Sequence, residues 1–180
     1  KLTAKQLKLI PKSQEIVGSI MILEIPPQLI KNEKLIAEAY LQINRKIETI
    51  VQKNRIHSGK FRTRKVKILA GRKSKETIHF ENGVKIKLHL ELVYFSARSA
   101  GERLRVAREV KKGEEVLVMF SGAAPFPLVI AKNSDAKKVY GVELNPFGYS
   151  YGQENVVLNK LEKKIKLFEG DVRLVVPKLK

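Results

Sequence analysis

The chain has 180 residues, 43% of them hydrophobic, and 36 Lys and Arg against 18 Asp and Glu leave a formal charge of +18. That length can bury a real core, and the lack of Cys excludes disulfides and thiolate metal sites and points to an intracellular, cytoplasmic protein. The positive excess calls for a polyanion, nucleic acid before an anionic membrane surface, with Lys-rich solubility or thermal adaptation as the plain alternative. No apolar run serves as a signal peptide or approaches the roughly 20 residues of a membrane span.

In chain order, Ile20 to Ile25 predict a short apolar strand that Pro26 and Pro27 must end. Leu29, Ile30, Ile36, Ala39, Tyr40, Ile43, Ile47, Ile50 and Val51 then recur at spacings of three, four and seven. The spacing predicts one long helix from Leu29 to about Lys53, its apolar stripe facing the core. KFRTRKVKILAGRKSK is a dense basic segment. TIHFENGVKIKLHL reads as a hairpin in which Asn82-Gly83 supplies the positive φ angles of a tight turn. Its apolar face is expected to carry Ile78 and Phe80 together with Val84, Ile86, Leu88 and Leu90. Residues 1–96 are thus expected to form a small α+β unit with a basic rim.

From Ser99 the pattern changes. A helix carrying Leu104, Val106, Ala107 and Val110 leads through Lys111-Lys112-Gly113 into the strand EVLVMF. The turn SGAAPF, a helix to about Lys132, the strand KVYGVEL, a helix from Pro146 to about Asn159 and the strand KIKLFEGD follow. This β-α-β-α-β run predicts α/β architecture with parallel strands over residues 97–180, and a ligand outside their carboxyl ends.

Three features there carry chemistry. The turn from Ser121 to Phe126 can turn free backbone amides toward a ligand, but it lacks the full G-x-G-x-x-G, so a dinucleotide pyrophosphate is poorly served and a packing turn is an equal reading. Glu143 ends the second strand, where a carboxylate can accept hydrogen bonds from both hydroxyls of a ribose. Asp171 ends the third strand and is a candidate for an adenine amino group. Each acid alone is more often a solvated strand end or a helix cap; together, beside the turn, they point to an adenosine cofactor. His57, His79 and His89 show no metal-ligand spacing, and no Ser-His-Asp order is apparent.

The segment VYFSARSAGERLRVAREVKKGEEVLVMFSGAAPFPLVIAK, followed by KKVYGVELNP, resembles the archaeal and eukaryotic tRNA (guanine-N1)-methyltransferases that act at tRNA position 37. LIPKSQEIVGSIMILEIP, FRTRKVKILAG and ETIHFENGVKIKLHLELVYFS are similar to the RNA-binding module preceding the cofactor domain in that family, so the resemblance covers about residues 9 to 176. It implies a Rossmann-like domain, S-adenosylmethionine as methyl donor and a tRNA anticodon loop as partner; a flipped target base is then expected on physical grounds, because guanine N1 lies on the pairing edge. By the same resemblance Glu102 matches the general base at guanine N1, and Arg62 matches an arginine beside guanine O6. From the residues alone, Ser99-Ala100-Gly101-Glu102 reads first as a capping box, and only the resemblance turns the reading to catalysis. Arg64 and Arg98 fall where RNA contacts are expected, and Tyr94, Arg103, Phe120, Gly122, Pro125, Phe126, Glu143, Asn145 and Asp171 where the cofactor is held.

There are departures. Val118 stands where the family usually has Asp, GAAPF replaces G-x-G-P-F, and Ala97 replaces a Pro. The family's N-terminal docking domain and the fourth strand with its N-P-P-Y-like motif have no counterpart here, which predicts a truncated chain or one completed by a C-terminal segment or second polypeptide. Two rival functions remain: a wyosine-pathway aminocarboxypropyltransferase using the same cofactor and tRNA position, and a non-catalytic tRNA-binding homologue.

Overall fold

The computed structural model describes residues 2–58, 61 and 63–179, with residues 54–58 and 64 given by their backbone alone. Thr3 caps a single turn, α1 (Ala4–Leu7), by accepting from the Gln6 N–H. A mixed sheet follows in the order β1 (Glu15–Val17), β2 (Ile20–Leu23), β3 (Thr49–Ser58) and β4 (Thr63–Gly71). β2 and β3 run parallel and the other pairs antiparallel. Parallel neighbours need a crossover, which a 3-10 turn (Pro27–Asn32) and α2 (Glu33–Ile43) provide.

The long helix predicted to Lys53 does not form as one element. α2 stops at Ile43, where the Asn44 side chain donates to the Tyr40 carbonyl and Ile47 N–H returns to Asn44, turning the chain. The β-branched run Thr49-Ile50-Val51 then enters β3. Ile50 packs in the cluster under α2 with Met21, Leu29 and Ile36, whereas Val51 packs with Ile20 and Val66. Neighbouring residues pointing to opposite faces is the geometry of a strand buried on both sides.

The hairpin of β5 (Glu76–Glu81) and β6 (Val84–His89) turns at Asn82 and Gly83, with φ of 45° and 77° as that turn demands. A two-residue loop fixes the register at Glu81↔Val84, hence His79↔Ile86 and Thr77↔Leu88. Val84, Ile86 and Leu88 are therefore buried beside Thr77 and Glu81, while Ile78 and Phe80 oppose Lys87 and Lys85 and are exposed. The expected single apolar face is corrected by this parity: directly opposed residues share a face.

After a 3-10 turn (Ala97–Ser99) come α3 (Ala100–Glu109), β7 (Glu115–Met119), α4 (Pro125–Asn133), β8 (Lys138–Glu143), α5 (Pro146–Leu158), β9 (Ile165–Glu169) and the turn α6 (Val172–Val175). The three strands are parallel in the order β7-β8-β9. Their core joins Leu128, Val139, Val156 and Leu167 with Val84, Ile86 and Leu88 of the hairpin. β7 pairs only with β8 among the described residues, and its Leu117 and Met119 are exposed.

Candidate cofactor pocket

The carboxyl ends of β7 and β8 open onto a cavity of about 640 Å³, within the range of small-molecule sites. One wall is the loop after β7. Phe120, Gly122 and Ala124 have φ of 59°, 56° and 65°, so left-handed residues alternate with ordinary ones. Glycine adopts this region freely, but a non-Gly residue pays about 1–2 kcal/mol. Phe120 and Ala124 are thus held there by their surroundings. Pro125 opens α4 and Pro127 follows, which removes two of the amides a helix N-terminus usually leaves free. The loop is therefore a poor pyrophosphate cradle, in keeping with the incomplete glycine motif.

Glu143, at the end of β8, is the polar centre of the cavity wall. Its Oε2 accepts the Gly122 N–H at 2.6 Å and its Oε1 the Asn145 N–H at 2.7 Å. A carboxylate has about four acceptor positions, so two amides orient the group and still leave capacity for two donors. Asn145 caps α5 by accepting from Phe147 N–H and donates from Nδ2 to the Leu92 carbonyl at 2.7 Å, fastening the segment after β6 to this end of the sheet. Ser121 Oγ, in the same wall, is buried with no hydrogen-bond partner among the described residues.

Arg103 is buried on α3. Its Nε and Nη2 donate to Glu81 at 2.5 and 2.6 Å, Nη2 also donates to the Ser96 carbonyl at 3.0 Å, and its guanidinium lies 5.1 Å from the Phe95 ring centre and 5.9 Å from that of Phe126. Burial alone would raise the Glu81 carboxyl, but hydrogen bonds from His79 and Arg103 hold it below its ordinary value. The charge of Arg103 is thus met inside the protein while its aromatic neighbours face the cavity.

Tyr94, Arg103, Phe120, Gly122, Pro125, Phe126, Glu143 and Asn145 all line this one cavity. Asp171 is not among its lining residues. It caps α6 by accepting from Arg173 N–H and pairs with that guanidinium at 2.6 Å, while the preceding Gly170 N–H donates to the Glu143 carbonyl. Glu102 is exposed in the first turn of α3 and is held by both arms of Arg105 at 2.8 Å. That guanidinium, the main cause, keeps its carboxyl below the ordinary value. The capping box does not form: Ser99 has φ −86° and ψ 6°, continuing the preceding turn instead of extending, and its side chain caps nothing. Arg98 is exposed in that turn, outside the cavity lining. Arg62 lies outside the described residues, and Arg64 is placed by its backbone, opposite His57. The sequence reading missed Phe61 and Phe95, which add aromatic surface to the cavity; an aromatic in a basic segment and another in the linker were the only signals.

The profile of the TRM5/TYW2 methyltransferase domain matches residues 77–180, and that of the TYW2 N-terminal domain matches residues 1–74. The chain belongs to the TRM5/TYW2 methyltransferase family. It is 37% identical over 166 residues to the tRNA (guanine(37)-N(1))-methyltransferase Trm5b of Pyrococcus abyssi, covering 92% of this chain and 49% of the relative. The crystal structure of that Trm5b superposes with a TM-score of 0.86 at 36% identity, over 97% of this chain and 52% of the other. The tRNA(Phe) (4-demethylwyosine(37)-C(7)) aminocarboxypropyltransferase of Pyrococcus horikoshii is 34% identical over 93% of this chain and 59% of its own. Methanocaldococcus jannaschii Trm5, crystallised with adenosine, superposes with a TM-score of 0.80 at 33% identity, over 94% of this chain and 51% of that one. This TRM5/TYW2 chain thus spans about half the length of the Trm5 relative it matches.

Proposed function

We propose that the chain is the RNA-binding part and first three strands of the catalytic domain of a cytoplasmic tRNA methyltransferase that transfers a methyl group from S-adenosylmethionine to guanine N1 at tRNA position 37. Residues 1–96 contribute the RNA-binding module and residues 97–180 the partial cofactor-binding sheet, with the hairpin sharing the core of the second part. The exposed β7 edge accepts a further strand, from a C-terminal segment or second polypeptide.

The observation that carries this reading is Glu143, oriented by two backbone amides at the rim of a loop poor in free helix amides. Such a carboxylate suits the two hydroxyl donors of a ribose. The aromatic surfaces of Tyr94, Phe120 and Phe126 suit a sulfonium, which aromatic faces attract as they do other cations. Asp171 is the acceptor proposed for the adenine amino group, at the neighbouring strand end. When bound, S-adenosylmethionine supplies an electrophilic methyl group. Glu102 would take the N1 proton of the target guanine, the nitrogen to which that methyl group would be supplied. Glu102 takes that proton only when the Arg105 fork lets go, because the guanidinium weakens it as a base. Arg62 offsets charge growing on guanine O6, and Arg64 and Arg98 contact the anticodon loop.

The match of residues 1–74 to the TYW2 N-terminal domain favours aminocarboxypropyl transfer as a second reading; the mass of a modified tRNA product separates the two. The test of the pocket is calorimetric titration with S-adenosylhomocysteine. Glu143→Ala is expected to weaken binding about 10- to 100-fold, as loss of charge-assisted hydrogen bonds does. Unchanged affinity in the variant removes Glu143 as the ribose acceptor. No binding by the unaltered chain leaves tRNA binding without a cofactor as its reading.

A further inference from the structure

The cofactor loop lies directly on one face of α5. Gly148, Gly152 and Asn155 follow one another at spacings of four and three, so they share that face. A Cβ at Gly148 would stand 3.1 Å from Glu143 Cγ and 3.5 Å from the Gly122 carbonyl carbon. At Gly152 it would stand 3.5 Å from the Gly122 oxygen and from Ala124 Cβ. Next on this face is Asn155, fully buried in mid-protein.

Three of the four hydrogen-bonding positions of that amide go to backbone. Oδ1 accepts the Lys87 N–H at 2.7 Å, and Nδ2 donates to the Lys87 carbonyl at 2.9 Å and the Ala123 carbonyl at 3.0 Å. One turn further, Asn159 repeats the first half of this pattern, accepting from Lys85 N–H at 2.8 Å and donating to the Lys85 carbonyl at 2.7 Å. The two side chains stand in for a strand along the free edge of β6. Only Asn155 also reaches the loop, at the residue between left-handed Gly122 and Ala124.

We propose that Asn155 is a positioning residue for the cofactor: by tying the Ala123 carbonyl to the β6 edge it holds the backbone of residues 121–124 in the shape the nucleoside meets. The proposal deepens the cofactor reading and rests on it for the ligand, but not for the loop. A single amide offers the acceptor and two donors this junction needs. Ala at this position leaves the buried Ala123 carbonyl and the half-buried N–H and carbonyl of Lys87 without this partner, and a backbone conformation rarely adopted by Ala124 loses a restraint. Asn159 supplies the internal control, since it fastens the same strand to the same helix without touching the loop.

The experiment compares Asn155→Ala with Asn159→Ala in the 180-residue chain by amide hydrogen exchange, thermal melting and titration with S-adenosylhomocysteine. Both variants are expected to melt at lower temperature than the unaltered chain. Only Asn155→Ala is expected to speed exchange at Gly122 and Ala124 by tenfold or more and to weaken the nucleoside about tenfold, with Asn159→Ala within twofold on both measures. Should Asn155→Ala not fold, Asn155→Ser, whose hydroxyl still serves one carbonyl, is read in the same way. Equal exchange in the two variants overturns the positioning role. Failure of the unaltered chain to bind the nucleoside overturns the cofactor reading alone, because the exchange at the loop is decided without ligand.

Discussion

The cavity joins two regions that are held together by different means. On the side of β7 and β8, buried and half-buried polar groups fix the backbone: half-buried Glu143 on two amides, Asn145 on Leu92, and Arg103 between Glu81 and Ser96. On the other side, each ion pair about the β1–β4 sheet keeps at least one partner in solvent: Lys53 with exposed Glu24, Lys67 with the buried Glu33, and Arg72 with Glu48, both exposed. Buried groups without partners are costly, so Asn145, Arg103 and Glu81 have one arrangement that satisfies them. Exposed pairs contribute little and exchange partners with water or a phosphate. The rigid region suits a small ligand and the basic one suits a polyanion.

The sharpest way to break this contrast is Arg103→Met. The change keeps a long apolar stem beside Phe95 and Phe126 but leaves Glu81 buried without its guanidinium, and unfolding in urea is expected to register a loss of about 3–5 kcal/mol. Arg72→Met, in a pair exposed on both sides, is expected to cost about 1 kcal/mol or less. Similar losses in the two proteins would mean that burial does not distinguish the regions energetically.

Next in size is Gly152→Ala. The added methyl group would meet Leu167 Cδ1 at 2.8 Å on one side and the cofactor loop on the other. Overpacking of this kind costs about 1–3 kcal/mol, and here it also displaces the loop, so a loss of nucleoside affinity is expected with the loss of stability. Stability that falls while affinity stays constant would show that Leu167 alone absorbs the strain.

The same division explains what could be read from the sequence. In the α/β region each signal is local: Pro125 and Pro146 open helices, Lys138–Glu143 is one strand, and the alternation of elements leaves few other topologies. Eight of the nine positions that the resemblance gave to the cofactor line one cavity: six lie at strand ends or in the turns after them, brought together by the parallel sheet, while Tyr94 comes from the segment after β6 and Arg103 from α3. In the β1–β4 region the apolar spacing of Ile43, Ile47, Ile50 and Val51 fits a helix as well as a turn entering a strand buried on both faces, and periodicity alone does not separate them. Glu81 and Asn155 were not legible because a lone polar residue announces no partner; Arg103 lies 22 residues from the first and Ala123 32 from the second. Glu102 sits where a cap was expected, but Ser99 is already inside a turn, so the acid turns to Arg105.

The smallest expected effect concerns the seam between the regions. Glu91, just after β6, accepts the Val66 N–H of β4 at 2.7 Å and pairs with Lys75 at 2.8 Å. Burial would raise its carboxyl, but Lys75 and the Val66 amide hold it below its ordinary 4.5. A carboxyl with a lowered folded value binds its proton more readily when unfolded, so its stabilisation is complete above about pH 4.5 and disappears as pH falls through the folded value. Glu91→Gln keeps the acceptor for Val66 and removes the titration. Its urea midpoint is therefore expected to fall less steeply than that of the unaltered chain below pH 4.5, and parallel acid limbs would take Glu91 out of the seam. Glu81 is lowered in the same sense, so an acid limb that survives in Glu91→Gln and flattens further in Arg103→Met assigns the remainder to the buried pair.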